Sequence, residues 1–333
     1  MNIIIPMAGR GTRLRPHTLV TPKPLVPIAG KPIVEWLVED IIALCAEKVE
    51  NIGFIIGDFG TEVEQNLLEI AEHLGAKGHI YHQKQALGTA HAILCAEDIL
   101  QGKVVVAFAD TLFKCEEKIN TDADGIIFVQ KVEDPRAYGV VKMDSNNKIT
   151  DFVEKPQEFV SDLAIIGIYY FKDGDNLKNE LQYLIDNNIT EKGEYQLTNA
   201  MENMKNKSLA FYPGKVEEWL DCGNKDATVY TNQRILEIKK HKIATPIQLN
   251  NVNSLVIEPC FIGKNVTLEH SIIGPHVSIG ANCIIKNSNI ENSMIQNSTK
   301  INNKIIQNAM IGSSVEINGN VENLSVGDYT TIR

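Results

Sequence analysis

The sequence predicts an α/β chain: a Rossmann-like, mixed and mostly parallel sheet domain over residues 1–240, then a left-handed parallel β-helix over residues 250–333. Three observations carry this. Short apolar strands alternate with helix-periodic segments from residue 1 to about 170. A glycine turn follows the first strand directly. Beyond residue 250 an aliphatic residue returns roughly every sixth position in an Asn-, Ser- and Ile-rich stretch.

Taken in order, Asn2–Pro6 reads as an apolar strand and Ile33–Ala46 has helical periodicity. Ile52–Ile56 is a strand. Thr61–Leu74 is a helix whose Thr61 and Glu64 have capping-box spacing. His79–His82 is a strand, Gly88–Ala96 a helix, and Val104–Ala109 an apolar run ending at Asp110. In such sheets ligands bind beyond the carboxyl ends of the strands, where the glycine turn and Asp110 both fall. In the tail the rhythm runs Ile262, Ile273, Ile279, Ile285, then Ile311 and Ile317, and slips between about 286 and 305. Asn at the corners tolerates left-handed backbone angles.

Composition narrows the function. Six scattered cysteines without a CxxC spacing argue against a zinc site or a disulfide framework and fit a reducing cytosol. The chain opens on a strand rather than a secretory signal, and no apolar run reaches membrane-helix length, so a cytoplasmic protein without membrane contact is expected. A net charge of -10 disfavours nonspecific nucleic-acid binding.

Against that acidity, the first 34 residues hold five basic side chains and no acidic one. Arg10, Arg13 and Arg15 sit in and after the turn Ala8-Gly9-Arg10-Gly11-Thr12, and Lys23 follows in a proline-rich stretch. Glycines let backbone N–H groups approach an anion, and cations neutralise the rest. A compact polyanion such as a triphosphate is the implied ligand. The turn is neither a dinucleotide fingerprint, since Leu14 stands where the third glycine belongs, nor a Walker A loop. Asp110, at the end of a buried strand, suits Mg2+, and read alone it equally suits a structural cap.

The run Gly9-Arg10-Gly11-Thr12-Arg13-Leu14-Arg15-Pro16, followed by Pro22-Lys23-Pro24-Leu25-Val26-Pro27 and Gly30-Lys31-Pro32, closely resembles the signature of the sugar-1-phosphate nucleotidylyltransferases. The long-form glucose-1-phosphate thymidylyltransferases, which carry a C-terminal extension, look nearest. The resemblance covers roughly residues 1–240. It implies NTP and sugar 1-phosphate as partners and Mg2+ as cofactor. Ala8, Gly9, Gly11, Thr12 and Arg13 would hold the phosphates, with Lys23 near the α-phosphate. Glu218-Trp219-Leu220-Asp221-Cys222-Gly223 resembles the family's Trp-x-Asp-x-Gly motif, which makes Asp221 the second metal ligand beside Asp110; Cys222 stands where the family usually has Thr. Gln83, Gly88 and Thr89 resemble the base-reading segment, with Gln85 a lesser candidate. A Gln amide matches the imide edge of thymine or uracil.

Tyr138-Gly139 and Phe152-Val153-Glu154-Lys155-Pro156 resemble sugar-site motifs. Gly139 would present backbone to the sugar, Glu154 would accept from its hydroxyls and Lys155 would hold its phosphate. Gly167 belongs to the next such segment, where Ile166 supplies no side-chain donor and leaves sugar identity open. Gly193–Thr198 resembles a further segment near the sugar, with no assigned role. Every candidate catalytic residue precedes residue 225, so the tail is expected to serve assembly of a homo-oligomer or regulation. Two other readings stand beside this one. One is acyl transfer in the β-helix, where His270 and His276 lie; the other is a catalytically silent subunit of the same fold.

Overall fold

Packing groups the chain differently from its linear order. Met1–Gly9 and Leu37–Trp219 form one compact unit, while Arg10–Trp36 and Leu220–Arg333 form another. The signature loop therefore belongs with the β-helix, although it lies more than 200 residues away in sequence. This computed structural model describes residues 1–9, 11–243, 250–319 and 325–332, with Ile332 by its backbone alone. Arg10 lies outside the described residues.

The first unit is built on a nine-stranded sheet. Four parallel strands lie side by side and run out to one edge, in the order Val104–Ala107, Asn2–Pro6, Asn51–Ile56, Lys77–His82. Antiparallel Leu163–Phe171 joins the Val104 strand, and Gly139–Met143 and Ile149–Glu154 extend the sheet beyond it. Gly125–Lys131 also pairs with Leu163–Phe171, and Phe211–Lys215 runs parallel to Gly125–Lys131. The central strands are apolar at nearly every position, as expected of a sheet buried on both faces. Ile4, Val104, Val106, Ile127, Phe171 and Phe211 share one buried core with Leu177, Leu181 and Met201.

Among the described residues the helices are α1 (Ile33–Leu44), α2 (Thr61–His73), α3 (Thr89–Leu94), α4 (Gly174–Asp186) and α5 (Leu197–Asn206), with α6 (Lys225–Ile238) in the second unit. The capping box expected at Thr61 does not form. Thr61 is the first helical residue, and Gly60 occupies the cap with a left-handed φ of 82° and no side-chain bond. Gly60 has no side chain to offer, so the pattern is displaced by one residue.

In the second unit three parallel sheets of six, four and five strands wind into a β-helix. Leu268, Ile285, Ile301 and Ile317 stack in register, one per coil, so the coils are sixteen or seventeen residues long. Three hexapeptides would need about eighteen, which is why the six-residue rhythm slips. The stacked side chains form their own buried core. Asn265, Asn282, Asn287, Asn292, Asn303 and Asn308 all take left-handed φ at the corners, as the sequence predicts. His270 and His276 are corner residues too.

Candidate functional site

In the first unit the strand Asn2–Pro6, which leads into Gly9, is anchored from both sides, and its partner Val104–Ala107 delivers Asp110 at its carboxyl end. The next strand over, Leu163–Phe171, shifts register between Ile165 and Tyr169. Gly167 sits in that irregularity with φ 86°, which explains the glycine. Two bonds lock the two strands there. Phe108 N–H donates to the Gly167 carbonyl at 2.9 Å, and Thr111 Oγ1–H donates to the Ile166 carbonyl at 2.9 Å. Asp110, half-buried, is therefore held on a rigid turn between two pinned residues.

Beyond Gly167 the neighbouring strands bring Gly139 and Glu154 face to face. A Cβ on Gly139 would stand 3.1 Å from Glu154 Oε2, 3.4 Å from Ile165 and 3.7 Å from Thr198. Lys155 follows in a left-handed conformation, φ 42°, with its N–H donating to the Tyr138 carbonyl and its Nζ 3.5 Å from Glu154. Glu154 also helps hold the Tyr169 hydroxyl protonated, after burial, which is the larger effect. Thr198 was not assigned from sequence. Its Oγ1 is buried without a partner beside Gly139, the kind of polar atom that calls for an explanation.

The third cluster in this unit surrounds Gln83. Its Nε2 donates to the Gly88 carbonyl at 3.1 Å and lies 3.2 Å from His91 Nδ1, leaving Oε1 as the amide's acceptor. Burial lowers the His91 pKa, so the ring stays neutral. Gly88 cannot be replaced: φ is 109°, and a Cβ would lie 2.4 Å from the Tyr195 carbonyl oxygen. Thr89 holds the same segment rather than pointing outward. Its hydroxyl accepts from Leu197 N–H and donates to Gln196. The Gly193–Thr198 segment thus closes the back of the Gln83 loop, a pairing across more than 100 residues with no local sequence signal. Gln85 is exposed.

In the second unit the signature loop is wound tightly about Gly11. At φ 58° it turns the chain into the single helical turn Thr12–Leu14, and its carbonyl accepts from Leu14 N–H and Thr18 Oγ1. A Cβ there would meet Lys23 Cβ at 2.8 Å, so Lys23 packs directly on the glycine. Lys23 is buried while Thr12 and Arg13 are exposed. The loop thereby packs Lys23, which opens the turn Lys23–Leu25, against the Gly11 turn that carries Thr12 and Arg13.

Asp221 lies in the same unit. Its carboxylate folds over Gly223, where a Cβ would stand 2.8 Å from Oδ2, which accounts for the glycine of the Trp-x-Asp-x-Gly motif. Its carbonyl accepts from Thr231 Oγ1 at 2.8 Å, tying it to α6. Cys222 is fully buried.

Among the described residues no three His, Cys, Asp or Glu side chains gather as a metal cluster. Mg2+ needs none, because it is usually held by one or two carboxylates with substrate phosphates and waters. Asp110 in the first unit and Asp221 in the second are each carboxylate donors of the kind that ion takes. His276 Nε2 is 2.8 Å from Glu237 Oε1, so this corner histidine is engaged in packing α6 on the β-helix. No helix among the described residues is long and apolar enough to cross a membrane.

The chain is 27% identical to a glucose-1-phosphate thymidylyltransferase of Streptomyces antibioticus, over all of this chain and 99% of the relative. It is 29% identical to the low-salt glycan biosynthesis nucleotidyltransferase Agl11 of Haloferax volcanii, over 91% and 89% of the two chains. It is also 29% identical to the bifunctional protein GlmU of Methanococcus vannielii, over 90% and 75%. A crystal structure of a UDP-glucose pyrophosphorylase complexed with UDP-glucose shares the fold, with a TM-score of 0.58 and 24% identity over 72% of this chain and 98% of that one. The family profile described as nucleotidyl transferase matches residues 2–238, and the chain belongs to that family.

Proposed function

We propose that the protein transfers a nucleotidyl group from dTTP or UTP to a sugar 1-phosphate, with glucose 1-phosphate favoured, releasing pyrophosphate. The observation that carries this reading is the Gly11 turn, which sets Thr12, Arg13 and a buried Lys23 in one anion-binding loop in a member of the nucleotidyl transferase family.

The sugar phosphate oxygen attacks the α-phosphorus in line, the bond to the β-phosphate breaks, and pyrophosphate leaves. The attacking phosphate is already ionised, so neither a protein nucleophile nor a general base is required. Catalysis is then positioning and charge neutralisation. Arg13 neutralises the β- and γ-phosphates and the departing pyrophosphate. Lys23 binds at the α-phosphate, and Lys155 holds the sugar phosphate. Mg2+, held by Asp110 and Asp221, would supply further charge neutralisation to the phosphates.

Gln83, with Nε2 committed to Gly88 and His91, offers Oε1 to the imide N–H of thymine or uracil. Glu154 accepts from sugar hydroxyls, and Thr198 Oγ1 adds a buried polar atom beside Gly139 that a sugar hydroxyl could satisfy. A screen of the five common NTPs against sugar 1-phosphates, read by pyrophosphate release, tests this. Turnover with dTTP or UTP is expected. Turnover confined to purine triphosphates, or none with any pair, would overturn it.

A further inference from the structure

Thr231 and Asn232 are adjacent on α6, and both are fully buried. Thr231 holds the Asp221 carbonyl. Asn232 reaches the signature loop: its Oδ1 accepts from Ala29 N–H at 3.0 Å and from Ser278 Oγ–H of the β-helix at 2.6 Å. A single amide oxygen thus joins three pieces of chain separated by 203 and 46 residues.

The segment it grips is not relaxed. Ala29 takes φ 47° and Gly30 φ 87°, two left-handed residues in succession at the tip of the hairpin Pro27–Ile28 with Lys31–Pro32. A non-glycine residue persists there only where its surroundings impose it. Asn232 supplies one constraint, and the Phe261 ring of the β-helix supplies another. A Cβ on Gly30 would lie 2.3 Å from that ring. The hairpin begins two residues after the turn Lys23–Leu25, whose end is fixed by Val26 N–H donating to the Lys23 carbonyl. At the loop's other end, His17 Nε2 hydrogen-bonds Ser325 Oγ at 3.0 Å, and Pro16 packs on Gly327. Asn232 Nδ2 meanwhile is buried without a partner. An Asn that leaves its own donor unsatisfied is a costly way to fill a helix face unless its oxygen is needed.

We propose that Asn232 is a positioning residue that couples the β-helix, through Ser278, to the phosphate-binding loop, holding the Lys23–Gly30 segment in the conformation that binds the triphosphate. The proposal rests on the reading of Lys23 as a phosphate ligand. It gives the β-helix a share in nucleotide binding, beyond the assembly or regulation expected from the sequence.

The test uses the full chain with Asn232→Ala, Ser278→Ala and the double variant. Calorimetric binding of dTTP, KM for dTTP and for glucose 1-phosphate, and Tm are measured on each. Asn232→Ala is expected to weaken dTTP binding and raise its KM by about tenfold, the size of one buried hydrogen bond lost, with KM for the sugar phosphate within about twofold. Ser278→Ala is expected to move dTTP in the same direction by less. The double variant should be no worse than Asn232→Ala, because both act through one oxygen.

A lower Tm with unchanged dTTP binding in both single variants would make the contact merely structural and overturn the coupling. If Asn232→Ala does not fold, Ser278→Ala decides alone, and unchanged dTTP binding overturns the proposal. Binding separates this from the transfer reaction. A wild type that binds dTTP without turnover fails the functional reading while leaving the coupling to stand or fall on the variants. A wild type that binds neither dTTP nor UTP overturns both, and for one that binds only UTP the same variants are measured with UTP.

Discussion

The two units reach order by different routes. In the α/β unit Asp110, Gly139, Glu154 and Gly167 lie on neighbouring strands or at their ends and are fixed by the strand beside them, as Phe108 and Thr111 fix Asp110 against Gly167 and Ile166. In the β-helix unit the signature loop has almost no regular structure of its own. It is held by residues of α6 and by the coils: Asn232, Ser278, Phe261, Ser325 and Gly327. A sheet places side chains by local geometry. A loop with left-handed residues at 11, 29 and 30 needs an external frame. The tail is thus part of what gives the loop its shape.

Asp110→Asn should separate chemistry from folding in the first unit and is expected to give the largest effect. With Asp110 as the proposed Mg2+ ligand, the substitution weakens the hold on an ion credited with several kcal/mol of transition-state stabilisation, so turnover should fall by about a hundredfold or more at unchanged Tm. Near-normal turnover at saturating Mg2+ would remove Asp110 from the site. Gly11→Ala attacks the second unit. The left-handed φ alone costs about 1–2 kcal/mol, and the new methyl would press on Lys23. KM for dTTP should rise by about tenfold, since 1.4 kcal/mol is one decade, while KM for the sugar phosphate stays put. Equal changes in both would mean that the loop does not act on the triphosphate alone.

Gln83→Leu should cost discrimination more than rate. The ratio of kcat/KM for dTTP over CTP is expected to fall by about tenfold or more, because the imide N–H loses its acceptor. An unchanged ratio would remove Gln83 from base reading. The last effect leaves activity at neutral pH untouched and concerns stability in acid. Burial lowers the His17 pKa from 6.5 to about 4, with Asp328 opposing the shift and Lys225 adding to it. The unfolded chain therefore takes up the proton first as pH falls. Stability is undisturbed above pH 6.5 and is lost between pH 6.5 and about 4, by up to about 3 kcal/mol. Denaturant melts of His17→Gln should lack that slope; a parallel slope in both proteins would place the titration elsewhere.

Much of the α/β unit was legible in the sequence, because period and composition act locally. The strands at Asn2 and Val104 and the helices at Ile33, Thr61 and Thr89 follow from apolar spacing and glycine punctuation. The corner asparagines of the β-helix are equally readable. The helix over Gly174–Asp186 carries its own signal too: Asp173 caps it by accepting from Asn176 N–H, and Leu177, Leu181 and Leu184 mark its buried face. What the sequence hides is pairing at a distance. Thr89 with Gln196, Thr198 with Gly139 and Asn232 with Ala29 each join residues with no common period or motif. Coils of sixteen or seventeen residues likewise blur a rhythm that presumes eighteen.

The proposed reaction is a single direct displacement driven by positioned charge, with no protein nucleophile. The stereochemistry at the α-phosphorus tests it most directly. One diastereomer of dTTP sulfur-labelled at the α-phosphate is turned over with glucose 1-phosphate, and the configuration of the sugar nucleotide formed is read by phosphorus NMR. One in-line attack inverts the phosphorus, and inversion is the expected result. Retention would require two displacements through a nucleotidyl-protein intermediate and would rule out direct attack by the sugar phosphate.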